Sequence, residues 1–414
     1  MLLDKHRPQF KDNELMKMIN CPRRQFLKQS LTLAAGAPFL KWAGANAFAA
    51  AGADNPGLAI SRELLANAKV AIVSCKEYGS AAAGALDKCF DLLGGLGPMV
   101  KGKSATIKLN LTGTNFTPFL NRPVGETFMT HPDTAVAVAK GLFAAGARRV
   151  RFVESTQSTS TLESTLGLAD WDVKTLQNLG PVEFENTRNL GKGKSYAHFR
   201  VPTGGYMFST LELNHSYEET DVMVSLAKLK NHITAGVTLS MKNLFGLTPN
   251  SLYGDEAATG GNEEATAGRG PIHNPQGFEK VRLPGLKGGI ESTDPTWRVP
   301  RTVVDICTAR PIHLAIIDGI TSMKGGEGPW CGGEEKLKFT SPGVIIAGLN
   351  PVSTDAVGTA VMGYENPRAV RGVKPFHFCD NHLLLAEQAG LGTADLSRID
   401  VRGLSIEKAR YPYG

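Results

Sequence analysis

No two cysteines of this chain are spaced as C-x-x-C, which leaves a ferredoxin-type cluster or a cysteine-rich zinc site without ligands. G-x-S-x-G is absent and no Ser-His-Asp order is readable, so hydrolase-type acyl transfer has no motif behind it. No G-x-G-x-x-G follows the first strand-like run. The glycine-rich Gly325-Gly326-Glu327-Gly328-Pro329 lacks P-loop spacing and reads as a backbone nest or a flexible turn, so nucleotide binding gains no specific support. Neither His131 nor His273 shows the i, i+4 pairing of a helical zinc motif. No internal repeat stands out at a fixed period. A strong apolar run of about 20 residues is missing too; the nearest approach, Leu31 to Phe48, is broken by Lys41 and by several glycines and alanines.

That weak apolar run follows Cys21-Pro22-Arg23-Arg24-Gln25-Phe26-Leu27-Lys28 and ends in small residues around Ala47-Phe48-Ala49. A paired arginine, a mild apolar segment and a small-residue cleavage site in that order read as a twin-arginine export signal over residues 1–49, with Arg23 and Arg24 as its motif. The expectations are the twin-arginine export machinery as a partner and the periplasm as the location, with an uncleaved inner-membrane anchor as the alternative. Pro22 stands where Ser or Thr is usual, and Met16 or Met18 offers a later start. Residues 1–49 hold eight Lys or Arg and three Asp or Glu, leaving 37 basic against 36 acidic residues in the remainder. Near-neutral balance gives no reason to expect nucleic acid as a partner.

The remaining residues exceed what one small core needs, and the 42% hydrophobic content suits a globular protein. Cys75, Cys89, Cys307, Cys331 and Cys379 form an odd set, and no disulfide is assigned for a protein folded before export. From Lys69 short apolar runs alternate with helical stretches: strands at 70–75, 105–109, 149–153, 221–227, 313–317 and 344–349, helices at 81–93, 132–145, 162–179, 301–308 and 354–362. This alternation predicts, over residues 60–414, an α/β fold with a mainly parallel sheet and helices on both faces. Ile233, Val237, Met241, Leu244 and Phe245 recur at helical spacing and predict a helix with a buried face, stopped by Gly246. Residues 250–300, dense in Gly and Pro, break the rhythm and read as a long loop or lid.

Ligand-binding groups of parallel α/β sheets collect beyond the carboxyl ends of the strands. Lys108 and Asn110 follow one strand, Glu154 and Ser155 a second, Lys228, Lys230 and His232 a third, and Asp318 a fourth. Ammonium groups gathered there repel one another unless an anion or carboxylates sit among them. The functional reading is a crevice for a small anionic ligand, with Lys242 and Asn243 added from the following helix; the bland one is solvated strand-end lysines. His232 is the candidate acid or base; a capping role is equally open for His131, and lid closure would be needed to bring in His273. Asp318, Glu327 and Asp355 are candidate oxygen ligands for a divalent metal, although the helix dipole alone would account for Asp355 in a first turn.

Several of these segments together resemble the domain of unknown function family 362. They are Ile107-Lys108-Leu109-Asn110 where the family has K-P-N, Thr130-His131-Pro132, Gly146-Ala147, Glu154-Ser155, and Asp221 through Lys230-Asn231-His232 into Gly236-Val237-Thr238-Leu239-Ser240-Met241-Lys242-Asn243-Leu244-Phe245-Gly246; Asp318-Gly319, Glu327-Gly328-Pro329 and Asp355-Ala356-Val357 follow. The resemblance spans about residues 69–365 and implies little about activity. Many relatives carry iron–sulfur cysteine clusters; this chain lacks them, and redox chemistry is not carried over. Two functions are expected in competition. One is an enzyme acting on a small anion, with His232, Lys230 and Lys242 catalytic, Lys108, Asn110, Lys228 and Asn243 binding, and a divalent metal as candidate cofactor. The other is a non-catalytic binding or maturation factor for an exported redox partner.

Overall fold

The computed structural model describes residues 68–113, 116–257, 268–278 and 281–414. Arg23, Arg24 and the rest of the expected export signal lie outside the described residues. Among the described residues, eight strands form one sheet: β1 (Lys69–Ser74), β2 (Ser104–Lys108), β3 (Arg149–Glu154), β4 (Val182–Asn186), β5 (Val222–Lys228), β6 (Leu314–Gly319), β7 (Val344–Gly348) and β8 (Asp400–Gly403). Their spatial order is β8-β1-β7-β6-β5-β2-β3-β4. β7 runs antiparallel to both its neighbours, and every other pairing is parallel. The fold is therefore α/β with a mainly parallel sheet.

The central strands β2, β5, β6 and β7 are buried along their whole length, the expected condition of a sheet covered on both faces. Alternation along each strand assigns the faces. Val224, Leu226, Leu314 and Ile316 belong to one core with the helices α1 (Ser80–Leu93) and α2 (Pro132–Ala144). Met223, Ala315 and Ile317 belong to the opposite core, with α4 (Pro295–Ala309), α5 (Pro351–Val361) and α6 (His382–Gln388). Between β5 and α4 lies a five-residue helix, α3 (Leu239–Asn243). Among the described residues, no helix is long and apolar enough to cross a membrane.

Local punctuation follows the expected chemistry. His131 caps α2 by accepting the Asp133 N–H on Nδ1 at 3.1 Å, and Pro132 takes the first helical position. The helix expected over 162–179 is two helices, Leu162–Leu168 and Val173–Gln177, because Asp170 turns through φ +60° and Asp172 caps a new start.

The larger correction falls on residues 231–247. The expected helix through Ile233 and Val237 is instead a tight hairpin, Asn231–His232 against Gly236–Val237, followed by α3 and a 3-10 turn at Leu244–Leu247. Ile233 sits at the hairpin tip, 38% exposed, rather than in the core. Gly236 takes φ +76°, and a Cβ there would meet Phe376 at 2.7 Å. Leu239 enters α3 at φ +43°, a conformation costly for a side chain with a Cβ.

What holds this strained entrance is Asp355. Its carboxylate accepts Ser240 N–H at 2.9 Å, Ser240 Oγ–H at 2.6 Å and Met241 N–H at 2.8 Å. Asp355 does not lie in the first turn of its own helix, where Asn350 caps α5 through Ser353 N–H; it closes the N-terminus of α3 from across the core. Replacing it, in Asp355→Ala, strands buried donors and is expected to lower the unfolding free energy by at least about 2 kcal/mol, read as a shifted urea midpoint at unchanged slope.

Candidate functional site

Lys108, Glu154 and Lys228 end β2, β3 and β5, Asp318 stands one residue before the end of β6, and the four converge at the carboxyl edge of the sheet. Parallel register sets Lys228 directly beside Asp318, and their side chains meet at 3.3 Å with both fully buried. That pair is satisfied on all sides: Lys228 Nζ also donates to Tyr78 Oη at 3.0 Å and the Gly125 carbonyl at 2.9 Å. Asp318 accepts from Thr134 Oγ1 and from Ile320 N–H, each at 3.0 Å. Lys108 pairs with Glu154 at 2.5 Å and donates to the Leu109 carbonyl at 2.7 Å. A Cβ at Gly246 would stand 2.8 Å from Lys108 Nζ, so this glycine leaves room for the pair rather than stopping a helix. Lys108 and Lys228, expected to bind ligand, thus have carboxylate partners within the chain.

The charge left over lies one layer further out. Lys230, just past β5, sends Nζ to the Phe128 carbonyl at 2.6 Å and the Glu327 carbonyl at 2.9 Å. Lys242, from α3, rests its amine 4.2 Å from the centroid of the Phe245 ring. Arg269 enters from the segment after Gly268 and donates Nε–H to the Thr248 carbonyl at 2.8 Å and Nη2–H to Ser155. Burial lowers the pKa of Lys230 and of Lys242 to about 7 against the partial opposition of Glu327. Arg269 comes down to about 10, again chiefly through burial.

Three imidazoles join this group. His232 Nδ1 accepts the Thr234 N–H at 3.2 Å, so its proton is on Nε2 when the ring is neutral. His273 Nδ1 lies 2.6 Å from the Arg269 carbonyl, which can only accept, so Nδ1 holds the proton and Nε2 is bare. His382, at the start of α6, is fully buried and neither ring nitrogen makes a hydrogen bond of full geometry, though the Ala235 carbonyl favours the protonated ring. Burial drives all three below the ordinary 6.5, His232 far down, His273 to about 4 and His382 to about 3, and Lys242 is the strongest charged influence on each.

Glu327 faces this group at the edge. Its carboxylate accepts Ile233 N–H at 2.9 Å and Trp330 Nε1–H at 3.3 Å and lies 4.0 Å from His232 Nδ1. The glycine-rich turn around it offers Lys230 the Glu327 carbonyl, and its Gly325 N–H is taken by Asn231 Oδ1 at 3.1 Å. Asn110 and Asn243 brace the strand ends: Asn110 N–H donates to Thr130 Oγ1 at 2.7 Å, and Asn243 Nδ2 to Ser225 Oγ at 3.1 Å, leaving Asn243 Oδ1 buried and unbonded. Asp318, Glu327 and Asp355 serve three different partners, Lys228, the hairpin and α3. Among the described residues, no group of three or more His, Cys, Asp or Glu is placed to hold a metal ion.

Sequence patterns missed Arg269 and His382, and they left His273 to an imagined closure. His273 already sits against Phe245, 4.7 Å between ring centroids, because Ile272 beside it is buried in the core. Gly97 to Ser104 has the spacing G-x-x-x-x-G-K-S, yet its glycine–lysine turn enters β2 instead of opening a helix, so it cannot cradle a phosphate as a P-loop does. The five described cysteines are buried and unpaired.

A thylakoid-associated protein, sll1697, of Synechocystis sp. (strain ATCC 27184 / PCC 6803 / Kazusa) is 31% identical over 166 residues, 39% of this chain and 44% of its own length. A solved structure of a Thermotoga maritima protein is similar at a TM-score of 0.35 and 12% identity, covering 67% of this chain and 57% of that one. The chain therefore spans about half the length of the relatives it matches. The family model described as Domain of unknown function (DUF362) covers residues 106–360, more than half of the sequence and every site residue named above but Tyr78 and His382, and the chain belongs to that family.

Proposed function

We propose that the protein is an enzyme that binds a small anionic substrate in the crevice formed by Lys230, Lys242, Arg269 and the three imidazoles. The observation that carries this reading is a charge imbalance inside the fold. Lys108, Arg269, Lys230 and Lys242 interact with one another against three carboxylates, Glu154, Glu327 and, beside Arg269, Asp255. Buried charge without a counter-charge is costly, and an anionic ligand supplies the missing charge. His232 and His273 favour catalysis over simple binding. Neutral at pH 7, they offer a proton donor on one Nε2 and an acceptor on the other.

The pH dependence has a definite sign. The folded-state pKa values of Lys230 and Lys242, about 7 against an ordinary 10.5, and of His273, about 4 against 6.5, all lie below the unfolded ones. Stability from these groups is complete above the unfolded values and is lost as pH falls, from about 10.5 towards 7 for the amines and from 6.5 towards 4 for His273. An anion binds the protonated amines and raises their pKa. Inorganic phosphate is therefore expected to raise the melting temperature by several degrees near pH 6, roughly 3 kcal/mol at a hundredfold excess over its Kd, and by less at pH 9. Lys242→Met is expected to melt higher than wild type without phosphate and to lose most of the shift. A phosphate response unchanged in Lys242→Met and in Lys230→Met would remove the crevice as its origin.

The same proposal places the enzyme in the periplasm, delivered by the twin-arginine machinery through Arg23 and Arg24. Fractionation of bacteria expressing the full chain is expected to find the wild type in the periplasm and the Arg23→Lys, Arg24→Lys double variant in the cytoplasm. Equal distribution of the two proteins would rule the route out.

A further inference from the structure

Among the described residues four lysines are buried in and around the site, and they differ in what their amines meet. Lys108 has a carboxylate and a carbonyl, Lys228 a carboxylate, a phenol and a carbonyl, and Lys230 two carbonyls. Lys242 has none of these. Among the described residues no oxygen accepts a hydrogen bond from its Nζ and no carboxylate lies within ion-pair distance; its contact is the face of Phe245. It is also the one that keeps an opening, 8% exposed against 1% or less for the others.

A charged amine in that position loses its hydration and recovers little of it, and Arg269 and Lys108 add repulsion. The group sheds its proton near neutral pH, leaving a lone pair with no hydrogen-bond donor committed to it. An amine in this state is a nucleophile towards carbonyl carbon.

We propose that Lys242 forms an imine with the carbonyl group of a small oxo acid whose carboxylate is held by Lys230 and Arg269. This deepens the anion-site reading and rests on it. Lys230 has three N–H donors and spends two on carbonyls, and Arg269 keeps Nη1 uncommitted. The amine lone pair attacks the carbonyl carbon and the C–N bond forms as the C=O π pair moves onto oxygen. His273 Nε2 takes the proton from nitrogen and returns it to that oxygen, giving the carbinolamine, while His232 Nε2–H steadies the oxygen by a hydrogen bond. The second nitrogen proton leaves by the same route with the hydroxyl as water, and the nitrogen pair closes the C=N bond. Nothing is oxidised or reduced.

Glyoxylate with cyanoborohydride tests this on the full chain, because hydride reduces the imine to a stable carboxymethyl-lysine located by peptide mass spectrometry. At pH 7 Lys242 is expected to react at least about tenfold faster than the exposed Lys88 and Lys140. Phosphate should slow the reaction. Lys230→Met should slow labelling by glyoxylate and leave labelling of Lys242 by formaldehyde, which has no carboxylate, unchanged. Lys242→Arg, which preserves charge and length, should show no fast site. Labelling of Lys242 no faster than Lys88 and Lys140 by either aldehyde overturns the proposal; fast labelling by formaldehyde without preference for glyoxylate overturns the oxo-acid assignment. A phosphate-induced rise in melting temperature that survives those failures leaves the anion site standing, and its absence removes both readings.

Discussion

Placing lysine ammonium groups inside a folded chain costs several kcal/mol each, and the arrangement at the carboxyl edge of this sheet is a set of answers to that cost. Lys228 is answered in full by the neighbouring strand, since parallel register sets Asp318 beside it and Tyr78, Thr134 and Gly125 complete the bonding of the pair. Lys108 is answered by Glu154 from the next strand over. Moving outward, Lys230 bonds neutral carbonyls and Lys242 rests on an aromatic ring, with Glu327 acting on both amines only at longer range. Compensation thins from the sheet to the rim, and the chemistry proposed for the protein sits where it runs out.

That gradient explains why the supporting structure is so firmly built. α3 is too short to be stable alone, opens with Leu239 in a left-handed conformation, and carries a lysine that favours unfolding when charged. Asp355 holds its first amides from the far side of the core, and burial raises that carboxyl to about 7 against the donors that favour its charge. Gly246 makes room for the Lys108–Glu154 pair beneath. Strain and unmatched charge at one place, compensated by bonding around it, is the pattern expected where a fold gives up stability for a site.

The antiparallel strand β7 extends the same sheet on the other side. It joins β6 to β1, so the sheet continues past the site and buries α5, which delivers Asp355. Distant sequence segments therefore act on one short stretch of chain, residues 228–246, from below, from the side and from across the core.

The main-sheet strands β1, β2, β3, β5, β6 and β7 and most of the longer helices were legible because continuous apolar runs bounded by Gly, Pro and polar residues admit few other readings. The strand-end lysines were legible as a group for the same reason, as residues following buried strands. Periodicity misled at Ile233, where apolar spacing mimicked a helix that Gly236 and the packing of Phe376 forbid. The sequence by itself determined the α/β architecture and which polar residues would stand at the sheet edge, because strand burial is a local property of composition. Only the tertiary structure decided which lysine is neutralised and which is not, and brought Arg269, His273 and His382 to Lys242, because ion pairing and desolvation depend on through-space distances that no linear spacing encodes.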